Sequence, residues 1–400
     1  MKRYRSSAPR PAPPQPEIFT VSIEHLLPGG WGLAHADGRT FMVALAAPGD
    51  RVRVRVERRQ GKVCFASITD IITPAPLRTT APCHYYGRCG GCDFQHLRYE
   101  AQLAAKAEIV RDCLRRIAKI TPPEEITVVP APRPFAYRTR AGWQYETTTG
   151  YLGYFQRGSQ RVCNVRECII LTPAMQETLT GLRSQLAENT TVATPTEFHA
   201  LAGTNEVALV PGGLPETLVR VGPYTYRGTA EGFFQSSQDL LEPLIADALG
   251  DTPGTTALDL YCGVGLFTVP LAARYAQVTG VEENPAAVAL AQINLQENGQ
   301  PHATTANAQV GEWLAEYAHE HAPVDFVLLD PPRTGLEPGV AEGLVKLAPR
   351  HIAYVSCDPA TLARDLRILL ENNYRLDKIT AYDLFPQTHH IETVAHLTRS

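Results

Sequence analysis

The C-terminal part of the chain alternates short apolar runs with longer stretches of helix-forming residues. Four of the apolar runs, TTALDLY, QVTGVEE, VDFVLLD and HIAYVSC, lie between about residue 235 and residue 357. Strands that alternate with helices in this way indicate parallel strands joined by crossover helices. The pattern predicts a doubly wound α/β domain over residues 231–400.

Polar residues and glycines stand where the first two of these strands end. Asp259 leads into a turn with Gly263 and Gly265, and the next strand ends at Glu282. A glycine turn lets a ligand approach the backbone, and a carboxylate at that edge suits the two hydroxyls of a ribose. Dinucleotides and S-adenosylmethionine are both bound in this way. Because Phe267-Thr268 stands where a third glycine of GxGxxG would be, the methyl donor is favoured over a nicotinamide cofactor.

The last two strands end in residues that could carry chemistry. Asp330-Pro331-Pro332-Arg333 predicts a rigid, polar loop, and Cys357 precedes a helix start signalled by Asp358-Pro359. Because helix N-terminal amides lower the pKa of a thiol, Cys357 is a candidate nucleophile. A cysteine in an apolar strand is also commonly a packing residue.

The segment DLFPQTHHIETV supplies a candidate base for that thiol. Glu392 could accept a proton, although a glutamate between strand-like residues is more often a surface residue. His389 and His390 are either loop residues or a weak metal pair, since no further His or Cys at metal spacing accompanies them.

Three cysteines cluster in a glycine-rich loop near residue 90. Cys83, Cys89 and Cys92 form a C-x5-C-x2-C pattern, so their thiolates can converge on a metal. Either zinc or a 4Fe-4S cluster needs a fourth ligand, and no clean second CxxC completes a zinc ribbon. An iron-sulfur cluster, zinc and no metal at all remain open at this point.

The N-terminal half predicts two further segments after a flexible tail at residues 1–17. Residues 18–74 hold alternating segments typical of a five-stranded barrel, and in one of them valines alternate with Arg51, Arg53 and Arg55. The arginines suit nucleic acid, or else mark a solvated edge strand. Residues 75–230 hold the cysteine loop, a helix in AQLAAKAEIVRDCLRRIAKI and a mixed, strand-rich domain with a helix over Ala174–Leu186.

Charge is distributed unevenly along the chain. Residues 1–170 carry 25 Lys and Arg against 14 Asp and Glu, whereas residues 171–400 carry 12 against 27. The first part is the candidate polyanion binder, unless the asymmetry is uneven surface charge without a partner. Since no run of about 18 apolar residues and no secretory signal occurs, we expect a cytoplasmic protein that does not enter membranes.

Four motifs together resemble those of a known family. DLYCGVG, LLDPPRTG, YVSCDPATLARD and FPQTHHIETV, in this order and spacing, are similar to the RNA uracil-5-methyltransferase family, in particular its 23S ribosomal RNA branch. The similarity extends from the predicted barrel to Val394. It implies a Rossmann-like S-adenosylmethionine-dependent methyltransferase domain, an OB-like TRAM domain at residues 18–74, a 4Fe-4S cluster, and structured RNA, large-subunit ribosomal RNA above all, as the partner.

The resemblance also implies roles for individual residues. Cys357 is implied as the nucleophile and Glu392 as the base. Cys168 is implied as the fourth cluster ligand, with Cys163 as a nearby competitor. The predicted donor-binding residues are Gln235, Tyr261, Gly263, Glu282, Asn307 and Asp330.

The chain departs from the family pattern at three positions. Asp358 stands where Asn is usual, Ser237 replaces an Asn, and Gln387 replaces a His. Asp358 matters most, because a carboxylate beside Cys357 raises the thiol pKa. The same reaction on transfer RNA, and a non-catalytic RNA-binding or ribosome-assembly factor with this fold, are the alternatives; intact Cys357 and Glu392 oppose the second.

Overall fold

The structure is a computed structural model that describes residues 17–188, 196–320 and 324–400. The chain divides into two compact units, Met1–Arg78 and Thr79–Ser400. The expected flexible tail lies outside the described residues except for Glu17.

The first unit is a six-stranded sheet with its own small core. Its strands are β1 (Ile18–Ser22), β2 (His25–Leu27), β3 (Trp31–Ala36), β4 (Arg39–Val43), β5 (Arg51–Gln60) and β6 (Val63–Thr73). Their order is β1-β5-β6-β4-β3-β2, and β4 and β6 form the parallel pair of this sheet. The expected count of five strands was wrong, because the three-residue β2 is too short to show an alternating pattern. Closure of the sheet into a barrel remains a prediction.

The alternation predicted for β5 is confirmed. Val52 and Val54 are fully buried, whereas Arg51, Arg53 and Arg55 are exposed. Acidic neighbours offset part of this positive face, since Arg53 pairs with Asp70 at 3.0 Å and Arg55 pairs with Glu57 at 2.9 Å.

The second unit begins with the cysteine loop and a long helix. Helix α1 (Tyr99–Cys113) continues into a π-helical turn, Leu114–Ala118, which confirms the predicted helix. The chain leaves this turn at Lys119, in a left-handed conformation with φ 60°. A short strand, β7 (Thr127–Val129), follows.

A central antiparallel sheet packs against one helix. Its order is β10-β9-β8-β11-β12. The elements are β8 (Arg140–Glu146), β9 (Tyr151–Phe155), β10 (Val162–Asn164), α2 (Pro173–Glu188), β11 (Glu197–Ala202) and β12 (Val207–Val210). Met175 and Leu179 of α2 share a buried cluster with Trp143. The hairpin of β13 (Glu216–Val221) and β14 (Tyr224–Thr229) leads to the C-terminal domain.

The C-terminal domain is the doubly wound α/β domain that the sequence predicted. Its elements are α3 (Leu241–Leu249), β15 (Thr256–Leu260), α4 (Thr268–Ala272), β16 (Gln277–Glu282), α5 (Pro285–Glu297), β17 (Thr304–Asn307), α6 (Val310–Glu320), β18 (Phe326–Leu329), α7 (Val340–Leu347), β19 (His351–Ser356), α8 (Pro359–Glu371), β20 (Tyr374–Tyr382) and β21 (Glu392–Arg399). The sheet order is β17-β16-β15-β18-β19-β21-β20-β7. The first five strands are parallel, and β21 runs antiparallel between β19 and β20.

Two features of this sheet bear on function. Because β15, β16, β18 and β19 are parallel, the residues that follow them meet at one edge of the sheet. Strand β7 pairs with β20, so a segment within the range predicted for the central domain completes the eight-stranded sheet of the C-terminal domain. Across the described residues, no helix is long and apolar enough to cross a membrane.

Candidate active site

A cavity of about 1090 Å³, here called the large cavity, opens at the carboxyl edge of the parallel strands. Of the eight residues predicted for catalysis or donor binding, seven line it: Gln235, Tyr261, Gly263, Glu282, Asp330, Cys357 and Glu392. Asn307 is not among the lining residues. Its side-chain amide donates to the main-chain oxygens of Glu282 and Glu283 at 3.0 and 2.8 Å, so it holds the strand end and does not face the cavity.

Cys357 and Glu392 are brought together by strand pairing. In the antiparallel ladder of β19 and β21, Ser356 is the partner of Thr393, whose hydroxyl donates to the Ser356 main-chain oxygen at 3.0 Å. Cys357 and Glu392 are the next residues outward on the two strands. The thiol and the carboxyl therefore lie on the same stretch of cavity wall, although 35 positions separate them in the sequence.

The expected lowering of the Cys357 pKa was wrong for the ligand-free protein. Burial raises the pKa of the Cys357 thiol to about 12, and the neighbouring Glu392 adds to the increase. The amides at the start of α8 are already used, because the Asp358 carboxylate accepts from the N–H groups of Ala360 and Thr361, both at 2.9 Å. Asp358 itself also raises the thiol pKa, in the direction that the sequence predicted.

The carboxyl groups of the large cavity share a low-dielectric environment. Burial raises the pKa of Asp330 to about 7. Burial and the adjacent Asp330 hold the pKa of Glu392 well above its usual range, and the positive charge of Arg333 opposes this. Burial in this environment therefore favours the protonated form of the Glu392 carboxyl.

The glycine turn has the geometry expected where a ligand meets the backbone. Gly263 has φ 53°, and a Cβ placed there would meet no atom within 4 Å. Its N–H donates to Glu282 Oε2 at 3.1 Å, which fixes the carboxylate beside the turn. Tyr261 also adopts a left-handed conformation, with φ 67°, and its buried hydroxyl has no hydrogen-bond partner among the described residues. An unpaired buried hydroxyl is costly unless a ligand satisfies it.

Sequence reasoning missed several residues that line the large cavity. Arg138, Arg140, Phe233 and Phe385 belong to three different segments. Arg140 donates to the Gly232 main-chain oxygen at 3.0 Å, next to Phe233. The two arginines of YRTRAG were the one available signal, and they gave no indication that they face a cavity.

The four cysteines predicted as cluster ligands line a second, smaller cavity. This cysteine cavity, of about 80 Å³, is lined by Cys83, Cys89, Cys92 and Cys168, together with Arg138. Cys163 is buried and does not line it. Burial raises the pKa of Cys89 to about 11 and that of Cys92 to about 12. Within the described ranges, no group of three or more His, Cys, Asp or Glu side chains is arranged to hold a metal ion.

Comparison with known proteins gives consistent matches. The family model for tRNA (Uracil-5-)-methyltransferase matches residues 216–400. An uncharacterized RNA methyltransferase of Aquifex aeolicus is 31% identical over 94% of this chain and 97% of its own length. The 23S rRNA (uracil(1939)-C(5))-methyltransferase RlmD of Pseudomonas putida is 32% identical over 94% of this chain and 92% of its own length.

One solved structure resembles nearly the whole chain. The tRNA (uracil-54, C5)-methyltransferase of Pyrococcus abyssi, in complex with S-adenosyl-L-homocysteine, superposes with a TM-score of 0.76 and 26% identity. The match covers 95% of this chain and 100% of that one.

Proposed function

The chain belongs to the RNA uracil-5-methyltransferase family, whose members use S-adenosylmethionine, and from this premise we propose that it methylates carbon 5 of a uridine in 23S ribosomal RNA through a covalent adduct with Cys357. The observation that carries the proposal is the position of Cys357 beside Glu392 on the wall of the large cavity, together with the predicted donor-binding residues. A ribosomal RNA substrate implies action in the cytoplasm.

The two groups perform complementary steps. Carbon 5 of uracil is a poor nucleophile until an addition at carbon 6 converts the ring to an enolate. The Cys357 thiolate adds to carbon 6, and carbon 5 then takes the methyl group from the donor's sulfonium. Glu392 removes the proton from carbon 5, the ring double bond re-forms, and the Cys357 thiolate leaves. The target base must leave its stack to reach this pocket.

The raised pKa values of Cys357 and Glu392 favour binding of the methyl donor before the thiol attacks. The raised pKa values of Cys357 and Glu392 favour the protonated form of each group, whereas both roles require the ionised form. A cation close to an acid stabilises its ionised form, so the donor's sulfonium, once bound in the cavity, would lower both pKa values. Arg333 acts in the same direction on both groups. We infer that the donor binds before the thiol attacks.

The RNA class rests on the relatives and not on the site. The curated relative from Pseudomonas putida is named for 23S rRNA, whereas the solved structure from Pyrococcus abyssi is named for tRNA. Transfer RNA is therefore the second candidate substrate.

The test is a methyl-transfer assay with labelled S-adenosylmethionine on a large-subunit ribosomal RNA transcript and on bulk transfer RNA. We expect 5-methyluridine in the ribosomal RNA, none with Cys357→Ala, and a denaturation-resistant protein-RNA adduct with Glu392→Gln. If transfer RNA alone is methylated, transfer RNA replaces ribosomal RNA as the proposed substrate. Binding of both RNAs without methyl transfer would favour a non-catalytic assembly factor.

We also propose that Cys83, Cys89, Cys92 and Cys168 hold a 4Fe-4S cluster. The support is an all-sulfur donor set on one cavity, and the cluster would supply a rigid crosslink. Each iron of such a cluster takes one protein thiolate, so the thiolates stand farther apart than the ligands of a single ion. Cys168→Ala should lower the iron and acid-labile sulfide content, whereas the matched variant Cys163→Ala should retain both; the reverse result would exchange the two assignments.

A further inference from the structure

A pair of hydrogen bonds between Asp93 and His389 joins the cysteine loop to the segment that precedes Glu392. Asp93, the residue after Cys92, accepts hydrogen bonds from both the main-chain N–H and Nδ1 of His389, the former at 2.8 Å. The two side chains are only 13% and 25% exposed. The family resemblance assigned no role to His389, and His389 is not among the residues that line the large cavity.

Main-chain contacts strengthen the same junction. The N–H groups of Asp93 and Phe94 donate to the Gln387 main-chain oxygen at 3.1 and 2.9 Å. Gln387 has φ 69°, a conformation that costs a non-glycine residue free energy and persists only where its surroundings hold it. Four hydrogen bonds therefore connect residues 93–94 with residues 387–389.

Helix α1 holds the same segment from another side. Gln102 and Gln387 exchange two hydrogen bonds, at 2.9 and 3.0 Å. Lys106 and Asp383 form a fully buried ion pair, and the Lys106 ammonium also donates to the Phe385 main-chain oxygen at 3.1 Å. Helix α1 thus holds the beginning and the middle of the segment, the Asp93 contact holds it at His389, and the strand pairing of β21 with β20 begins at Glu392 itself.

The segment carries two groups of the large cavity. Phe385 lines it, and Glu392 begins β21 three positions after His389. A carboxyl group that takes a proton from carbon must be held within hydrogen-bond reach of it, and a misplacement of about 1 Å can cost about a hundredfold in rate.

We propose that Asp93 is a positioning residue for Glu392, acting through its contacts with His389, so that the cysteine loop sets the geometry of proton removal from carbon 5. The inference rests on the proposed function, in which Glu392 is the base. Asp93 does not touch the substrate; it fixes the chain that presents Glu392.

The test compares Asp93→Ala, His389→Ala and the double variant with the wild type, each as full-length protein with measured iron and sulfide content. The RNA is whichever transcript the wild type methylates. Asp377→Asn is the control, because the Asp377 carboxylate, like that of Asp93, accepts two hydrogen bonds, here from Arg375 and Thr398, but lies toward the far end of β20. Asp93→Asn is the conservative variant, since its amide oxygen still accepts from the His389 N–H.

We expect Asp93→Ala to lower kcat by about tenfold or more with little change in KM for RNA. The denaturation-resistant adduct should accumulate, because methyl transfer continues while proton removal slows. The double variant should be no slower than the slower single variant, Asp93→Asn should recover most of kcat, and Asp377→Asn should match the wild type.

Other results would overturn the inference. A raised KM with unchanged kcat would assign Asp93 to RNA binding, and parallel loss of iron and activity would assign it to the cysteine cavity. Multiplicative effects in the double variant would mean that the pair does not act together. If Asp93→Ala fails to fold, His389→Ala carries the same expectation. Failure of the proposed function itself is distinct, since Glu392→Gln would then trap no adduct.

Discussion

The Asp365 carboxylate, in α8, accepts a hydrogen bond from the main-chain N–H of Leu336 at 2.9 Å, and so connects the helix that follows Cys357 with the loop that follows Asp330. The same oxygen accepts from the Tyr354 hydroxyl at 2.7 Å. A Cβ on Gly335, which has φ 76°, would lie 2.5 Å from that oxygen, so the close approach requires glycine. The loop carrying Arg333 and the helix after the nucleophile are thus one structural piece.

Asp365→Ala should be strongly destabilising. It leaves the Leu336 N–H and the Tyr354 hydroxyl buried without an acceptor, at a cost of about 2 to 4 kcal/mol in the free energy of unfolding. Activity should fall as well, because Arg333 loses its support beside Cys357 and Glu392. Urea unfolding and kcat measure the two effects. Asp365→Asn, which keeps an acceptor oxygen, should lose less of both; equal losses in the two variants would contradict this account.

The ligand-free protein should lose stability as the pH rises from about 4 to about 8. Burial raises the pKa of Asp259 to about 8. The charges of Asp330 and Glu282 raise it further, whereas the hydrogen bond from Thr268 lowers it. Burial also raises the pKa of Asp330 to about 7. The folded state therefore keeps protons that the unfolded chain releases, and each such proton costs about 1.4 kcal/mol per pH unit.

Asp259→Asn checks this dependence. An asparagine at position 259 keeps an oxygen for the Thr268 hydroxyl, which donates at 2.5 Å, but does not titrate. The slope of unfolding free energy against pH should become shallower in the variant. A slope unchanged from the wild type would mean that Asp259 does not hold a proton in the folded protein.

The C-terminal domain could be predicted because its signals are local. Each parallel strand is a short apolar run followed by a functional residue, and the ladder of β19 and β21 then brings Cys357 to Glu392 without further information. Cys168 and the three cysteines of the C-x5-C-x2-C loop line one cavity. The choice of Cys168 came from the family resemblance and not from a local signal.

Long-range polar contacts could not be predicted. Lys106 and Asp383 are 277 positions apart, and neither residue stands in a pattern that indicates a partner. The pKa of Cys357 was predicted in the wrong direction because helix position alone ignores burial and the capping of α8 by Asp358. Residues 127–129 fall within the range predicted for the central domain, but β7 pairs with β20, because three residues do not specify a partner strand.

The arginine face of β5 should contribute to RNA binding more through Arg51 than through Arg53 or Arg55. Arg53 and Arg55 are paired with Asp70 and Glu57, whereas Arg51 makes no ion pair with any described residue. Arg51→Ala should weaken RNA binding and reduce the slope of log K against log salt by about 1. Filter binding from low to moderate salt measures both. Arg367→Ala, on the exposed face of α8 where Arg367 pairs with Glu371, is the control outside β5; equal effects of the two variants would remove β5 from the interface.

Asp358→Asn should make the enzyme faster near neutral pH. The Asp358 charge is one of the contributions, after burial, Glu392 and Asp330, that raise the pKa of Cys357. An asparagine caps a helix N-terminus as well as an aspartate does, so α8 should keep its start while the thiol pKa falls. We expect kcat/KM at pH 7 to rise about twofold to threefold.

The pH at which iodoacetamide alkylates Cys357 should shift downward by the corresponding amount. The Cys357→Ser variant measures alkylation of the other thiols, which is subtracted. If the pH of alkylation falls but kcat/KM does not rise, formation of the Cys357 thiolate does not limit the rate. If neither shifts, the Asp358 charge is screened from the thiol and its place beside the nucleophile serves only the helix.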